Sequence, residues 1–324
     1  MSAYHAVLAV KDERADALAA GGGLRSLTAA LRRGVTEAGN PAQIQTEDPV
    51  MNTLPVLSQP TFTNALAKGL SLEEVRERAP AVFAEHAHER MSARYGFIPT
   101  QRVLQGLIDA GFNPVEARQA RTRRSSPLHA RHLVRLRRQF ETVQLKDSVP
   151  EIVFLNSHNG TSGYQMRMGL FRVICTNGMI VSNGVFPGYC VSHRSNVMDE
   201  VIRAALELAR QFPLLACQVE RMESRKLEPQ AQVRFAERAL ALRYPQPELS
   251  GMQPSQLLTC RRTEDAGEDL WRTLNRVQEN LLRGGMSRRS VGGRLVRTRG
   301  ITAIRQEVRL NTALWDLALE TLAL

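Results

Sequence analysis

The densest run of polar side chains in the 324-residue chain is Asn156-Ser157-His158-Asn159-Gly160-Thr161-Ser162-Gly163, set between two apolar stretches. Small hydroxyl and amide side chains bond local backbone groups and glycines permit tight turns, so such a run makes a well-formed connection. It also has the parts to meet phosphate oxygens, with backbone N–H groups, hydroxyls and His158 as donor or stacking ring. A nucleophilic Ser–His pair does not follow, because adjacency in sequence does not give catalytic geometry. His86 and His88, two apart on an expected helix, point to different sides, and His129 and His132 fall where a loop enters a strand. The cysteines (Cys175, Cys190, Cys217, Cys260) form no close-spaced ligand pair, so neither a metal site nor a disulfide framework is expected. No Gly-x-x-x-x-Gly-Lys-Ser/Thr loop and no Gly-x-Ser-x-Gly elbow occurs, and no cofactor is expected.

Charge is the stronger signal. The chain carries 43 Lys+Arg against 32 Asp+Glu, a formal net charge of +11, and all but four of the basic residues are arginine. Val115 to Arg138 holds eight arginines against Glu116 alone, and Arg283 to Arg309 holds eight against Glu307 alone. Each segment is +7, so together they exceed the net charge of the whole chain and the remainder is acidic. Localised arginine suits phosphate, since its planar fork bonds two oxygens at once and its face stacks on a base. A single charge run is commonly just a solvated face; two on an otherwise acidic chain point to a polyanionic partner.

The surrounding pattern must position these groups. Residues 1–60, with Gly21-Gly22-Gly23 and several prolines, read as poorly organised apart from a helix over Leu24–Arg33. Ser71 with Glu74 has capping-box spacing, and Pro80 divides helices near 72–78 and 81–93. Thr100 is placed to cap a helix whose apolar face is Val103, Leu104, Leu107 and Ile108, stopped by Gly111. Val115–Arg123 and His132–Arg138 then read as strands. In the second, Val134 and Leu136 alternate with Arg135 and Arg137, giving one apolar and one cationic face. Ile152–Leu155 reads as a buried strand. Between Tyr164 and Cys175 the apolar parity changes, which predicts a strand with a bulge near Gly169. Short strands at Met179–Val181 and Tyr189–Val191 surround the Asn177-Gly178 and Asn183-Gly184 turn signals. Asn196 caps a helix with Val197, Val201, Ala204, Leu208 and Phe212 on one face, and helices follow near 216–242, 266–282 and 301–323. The glycine-flanked stretch 284–293 reads as a flexible basic loop. The expected class is α+β, an antiparallel meander packed with helices, with regions at 1–94, 95–213 and 214–324. No apolar run approaches the roughly 18 residues of a membrane span. The N-terminus lacks secretory features, so a cytoplasmic protein is expected.

Several of these pieces form an ordered series: Tyr95-Gly-Phe-Ile-Pro-Thr100, Gly111-Phe-Asn-Pro-Val-Glu-Ala-Arg-Gln119, His132-Leu-Val-Arg-Leu-Arg137, Val149-Pro-Glu-Ile-Val153, Asn156-Ser-His-Asn-Gly-Thr-Ser162 and Gly169-Leu-Phe-Arg-Val-Ile-Cys175-Thr-Asn-Gly178. The series resembles the phage- and plasmid-associated family of unknown function often called phage/plasmid-like proteins, from about Tyr95 to Phe212. The resemblance implies a setting on mobile elements, in DNA maintenance, recombination or defence evasion, and it implies Asp where this chain has Asn159. A strand meander followed by a long helix is also similar, at the level of fold, to phage single-strand annealing proteins, which form rings and lay single strands along a basic groove.

These features predict a non-enzymatic DNA-binding protein of mobile-element origin, favouring single strands, forming homo-oligomers and promoting annealing. Arg121, Arg123, Arg135 and Arg137 would meet phosphates from the sheet, and Asn156, Ser157, His158, Thr161 and Arg167 from the polar loop and its following strand. Arg288, Arg289, Arg294 and Arg297 would make a second, mobile contact, with Tyr95, Phe97 and Tyr164 as candidate stacking rings. Two alternatives remain open: a nucleic-acid-processing enzyme using the 156–162 loop, and an anti-defence protein whose arginines meet an acidic protein. If about six phosphates on a single strand are neutralised, log K falls against log salt with a slope of roughly −4. A titration of labelled oligonucleotide at several salt concentrations checks this; affinity independent of salt would remove the electrostatic argument.

Overall fold

The computed structural model describes residues 69–92, 95–122, 126–139, 148–172, 178–181, 188–191, 197–246, 251–290 and 292–324. The expected helix at 24–33, Arg123, Cys175, the Asn183-Gly184 turn and Asn196 lie outside the described residues.

The fold is α+β. Helix α1 (Leu72–Arg78) opens on the expected capping box, with the Glu74 N–H donating to Ser71 Oγ at 3.2 Å and the Ser71 N–H to Glu74 Oε2 at 2.8 Å. After Pro80 the chain makes one 3₁₀ turn, Pro80–Phe83, and then runs irregularly, so the helix expected over 81–93 does not form. Helix α2 (Thr100–Asp109) buries Val103, Leu104 and Leu107 and gives way at Gly111, whose φ is +89°.

The sheet follows as a meander of antiparallel neighbours: β1 (Phe112–Gln119), β2 (His132–Arg138), β3 (Ser148–Asn156), β4 (Tyr164–Arg172) and β5 (Gly178–Val181). A short β6 (Tyr189–Val191) pairs with Tyr164–Met166 while β5 pairs with Met168–Phe171, both antiparallel to β4. One face presents Val134, Leu136, Ile152, Phe154, Met166, Met168 and Leu170 to the main core, which α2 and α3 (Val197–Ala209) help to build.

The parity change in β4 has a different cause from the one its pattern suggests. The β3–β4 register is unbroken from Ser148↔Arg172 to Leu155↔Gln165, so there is no bulge at Gly169; the register shift lies instead between Pro114 and Glu116 on β1. Both faces of β4 are buried at this end, because Phe171 points into a second, smaller cluster with Leu133, Val153, Leu155, Ile180 and Ile304. Gly169 makes room for it, since a Cβ there would stand 2.4 Å from the Phe171 ring.

Among the described residues four further α-helices follow: α4 (Phe212–Ser224), α5 (Pro229–Arg243), α6 (Leu270–Arg283) and α7 (Ile304–Ala323). Phe212 starts α4 rather than ending α3, and the single helix expected over 216–242 is two. Helix α6, N-capped by Asp269 accepting from the Arg272 N–H at 2.9 Å, is buried on every side except at Arg272 and Arg283. Between α6 and α7 the chain forms a hairpin of β7 (Ser287–Arg289) and β8 (Leu295–Arg297), where the sequence pattern suggests a loop. Among the described residues no helix is long and apolar enough to cross a membrane.

The packing at Phe171 is directly testable. Gly169→Ala drives a methyl group against the edge of the Phe171 ring and is expected to cost about 1–3 kcal/mol in urea unfolding without changing the m-value. Adding Phe171→Leu should recover part of that loss; additive costs would show that the two sites are not coupled.

Candidate nucleic-acid interface

The polar run splits into a buried part and an exposed part. Asn156, Ser157 and His158 are fully buried, Asn159 is half-buried, and Gly160 and Thr161 are exposed. The buried part ends at Thr100. Its hydroxyl does not cap α2, whose N-cap position is Pro99, but turns inward to meet His158 Nε2 at 2.9 Å, His132 Nε2 at 3.0 Å and Asn156 Nδ2 at 2.9 Å. The partners assign the tautomers. His132 Nδ1 lies 3.0 Å from the Ala130 carbonyl, which only accepts, so Nδ1 carries the proton and a neutral His132 takes the Thr100 proton at Nε2. His158 Nε2–H and Asn156 Nδ2–H then donate to the two lone pairs of the hydroxyl. One buried hydroxyl thereby joins α2, β2 and the end of β3.

This arrangement removes Asn156, Ser157 and His158 from any surface, so the expected phosphate contact through them is corrected: their polar atoms hold the fold. The exposed part is a turn. Asn159 Oδ1 accepts from the Thr161 N–H at 3.2 Å and from Thr161 Oγ1 at 2.6 Å, and Gly160 takes φ +74°. That task needs an acceptor rather than a charge, so Asn serves where the resemblance implies Asp. The expected stacking rings are engaged too. Tyr164 is fully buried with its hydroxyl donating to the Ile98 carbonyl, and Phe97 packs against His158 with ring centroids 4.9 Å apart. The Tyr95 hydroxyl faces the Ser157 carbonyl at 3.4 Å, and burial raises its pKa to about 12. His86 and His88, no longer on a helix, both bring their rings to His129, at 5.5 and 5.3 Å. Burial and the charges of those two neighbours lower the His129 pKa.

The cationic face of β2 exists as the alternation predicts, but its charge is matched. Glu151 on β3 is fully buried and receives Arg135 Nε at 2.7 Å and Arg137 Nη2 at 2.7 Å. Arg135 also pairs with Glu116 on β1, and its guanidinium lies 3.5 Å above the Phe171 ring. Arg118 pairs with Glu116 and, at 2.7 Å, with Glu307 in the first turn of α7. Three guanidiniums thus face three carboxylates. Freeing both Arg135 and Arg137 for phosphate would leave Glu151 as an uncompensated buried charge. Arg167, on the same face, is desolvated, which lowers its pKa, and its Nη2 reaches Gln165 Oε1 at 3.4 Å. Arg121 is exposed beyond the end of β1.

The second arginine run behaves in the opposite way. On the hairpin the register pairs Ser287 with Arg297, Arg288 with Val296 and Arg289 with Leu295. Residues two apart share a face, so Ser287, Arg289, Leu295 and Arg297 point one way and Arg288 and Val296 the other. The first set is exposed and the second half-buried. Arg294 at the turn and Arg299 beyond β8 are also exposed. Among the described residues, Arg289, Arg294, Arg297 and Arg299 form no ion pair with a carboxylate. The base is firmly held, which corrects the reading of a mobile loop. The Gly285 N–H donates to the Thr298 carbonyl at 2.8 Å, the Thr298 N–H to the Met286 carbonyl at 2.9 Å, and Gln256 Nε2 to the Ser287 carbonyl at 2.9 Å. Arg243 bonds the carbonyls of Leu281 and Arg299, and Arg261 that of Gly284. Gly284 itself takes φ +67° where a Cβ would meet the Arg299 backbone at 2.6 Å. The alternation of Arg288-Arg289 against Leu295-Val296-Arg297 about a Gly-Gly pair was the available sequence signal.

The Thr100 junction yields a prediction. Thr100→Val keeps the shape and deletes the hydroxyl, and should cost about 1–3 kcal/mol for each buried polar group left without a partner. Thr100→Ser should restore most of the stability in the same thermal or urea unfolding measurement. Equal stability of all three would show that the junction contributes nothing.

Two curated relatives in Escherichia coli (strain K12) align with most of the chain. The UPF0380 protein YafZ is 40% identical over 250 residues, which is 77% of this chain and 90% of that protein. The UPF0380 protein YfjQ is 40% identical over 254 residues, 78% of this chain and 91% of that protein. No solved structure matches the chain. The described core from the Thr100 junction through the hairpin to α7 lies largely within residues 87–315, the span that matches the Domain of unknown function (DUF932), and the chain belongs to that family.

Proposed function

We propose that the protein binds DNA without catalysis and that the β7–β8 hairpin is its principal contact. The observation that carries this reading is the contrast between the two arginine runs. On the sheet, Arg118, Arg135 and Arg137 are held by Glu116, Glu151 and Glu307; on the hairpin, exposed guanidiniums lie on a narrow ribbon with its base anchored. A ribbon whose exposed Arg289 and Arg297 pair with no carboxylate among the described residues attracts a polyanion, gains by counterion release, and is pre-organised because its backbone is already ordered.

The shape favours duplex over single strand. Binding of single strands relies on aromatic platforms, and Tyr95, Phe97 and Tyr164 are engaged around the Thr100 junction. A two-stranded ribbon instead fits a duplex groove. The likeness to phage/plasmid-like proteins supports placing this binding in the handling of mobile-element DNA. Binding is favoured over turnover because His158 Nε2, Asn156 Nδ2 and the Ser157 hydroxyl are held in buried structural hydrogen bonds.

The test compares two double variants on a labelled DNA duplex. Arg289→Gln/Arg297→Gln should lose roughly tenfold in affinity per arginine near 0.1 M salt, lower the salt slope by about 2, and melt as the native protein does. Arg135→Gln/Arg137→Gln should instead melt at lower temperature, since Glu151 is left without its cations. Native affinity in the hairpin variant overturns the reading. Preferential binding to an acidic polypeptide over DNA would favour the protein-partner alternative.

A further inference from the structure

The exposed face of the hairpin is not uniformly polar. Leu295 stands on it at 68% exposure; of the exposed large apolar residues among the described ones, only Leu324 is more open to solvent. Its cross-strand neighbour is Arg289, and Arg297 lies two residues further along the same strand and face. Beyond it the turn is open: a Cβ at Gly292 or Gly293 would meet nothing within 4 Å, and Gly293 takes φ +76°. Solvent gives nothing for holding a leucine outward, whereas Val296, the adjacent apolar residue, faces the body and is half-buried. A bare apolar side chain between arginines, on a two-stranded ribbon with an anchored base, has the shape of a wedge. Guanidiniums on either side would hold the two phosphate backbones while the apolar group enters between stacked bases.

We propose that Leu295 inserts between adjacent base pairs of duplex DNA from the minor-groove side and kinks the duplex. This deepens the DNA-binding reading and rests on it. Duplex DNA is the occupant that accounts for all three features together: cations for the backbones, a ribbon narrow enough for a groove, and an apolar group for the stack. Duplex RNA has a wide, shallow minor groove that gives the ribbon no walls. An acidic protein surface would meet the arginines but offers no apolar slot matched to a single leucine.

A duplex of about 24 base pairs carrying a donor dye at one end and an acceptor at the other reads the kink as energy transfer. At saturating native protein, transfer should rise by the amount expected for a bend of about 20–90°, more strongly with a central TA step than with a central A-tract, because TA steps unstack readily. Leu295→Ala, which touches an exposed side chain and should keep the native melting temperature, is expected to bind within tenfold of native affinity, with an unchanged salt slope, and to lose the rise in transfer. Leu295→Met should keep it. A bend that persists in Leu295→Ala, or native binding with no bend, overturns the wedge while leaving hairpin binding intact. Absence of saturable binding by the native protein overturns both.

Discussion

A helix buried along nearly its whole length constrains the rest of this molecule. Helix α6 carries Thr273, Asn275, Arg276, Gln278, Glu279 and Asn280 into the interior, and each polar group there must find a partner or cost its desolvation. Asn280 reaches the carbonyls of Leu257 and Thr259, and Arg276 those of Asp265 and Gly267 together with Gln232. Gln278 donates to the Gly178 carbonyl on β5 and to Asn311 on α7, and Glu279 takes Arg262 and Arg283. These bonds tie segments far apart in sequence to one rod. The hairpin leaves the C-terminal end of that rod through Gly284, so its direction is inherited from the most tightly held element of the fold.

The same accounting separates the two arginine-rich segments. On the sheet, Glu151 is a carboxylate at zero exposure, and a buried anion is tolerated only when paired. Arg135 and Arg137 therefore fold over it, and Arg135 also covers Phe171, so the arginine face of β2 becomes an ion-paired layer. On the hairpin, Arg289, Arg294 and Arg297 pair with no carboxylate among the described residues and stay exposed. Similar composition gives structural arginines in one place and a cationic ribbon in the other.

Much of the architecture was legible in the chain. The Ser71–Glu74 cap, the apolar face of α2, strand β2 to the residue, and the antiparallel class all followed from spacing and period, because these are decided by neighbours a few residues apart. The misread elements share another feature. The parity change in β4 looked like a bulge because a second cluster beneath Phe171 cannot be seen in one strand, and residues 284–293 looked mobile because their glycines were read without Gln256, Arg243 and Arg261.

Local pattern places the charge concentrations, the alternating residues and the polar run between β3 and β4. Which of those charges are available depends on how the strands and helices pack. Glu151 sits at a position that reads as the edge of a strand, and nothing local places it under Arg135 and Arg137. Thr100 precedes its partners His132, Asn156 and His158 by 32 to 58 residues. Electrostatic and hydrogen-bond matching act across space and depend on strand register, whereas propensity and periodicity act along the chain; a guanidinium counts as a binding group only after the first kind of matching has been settled.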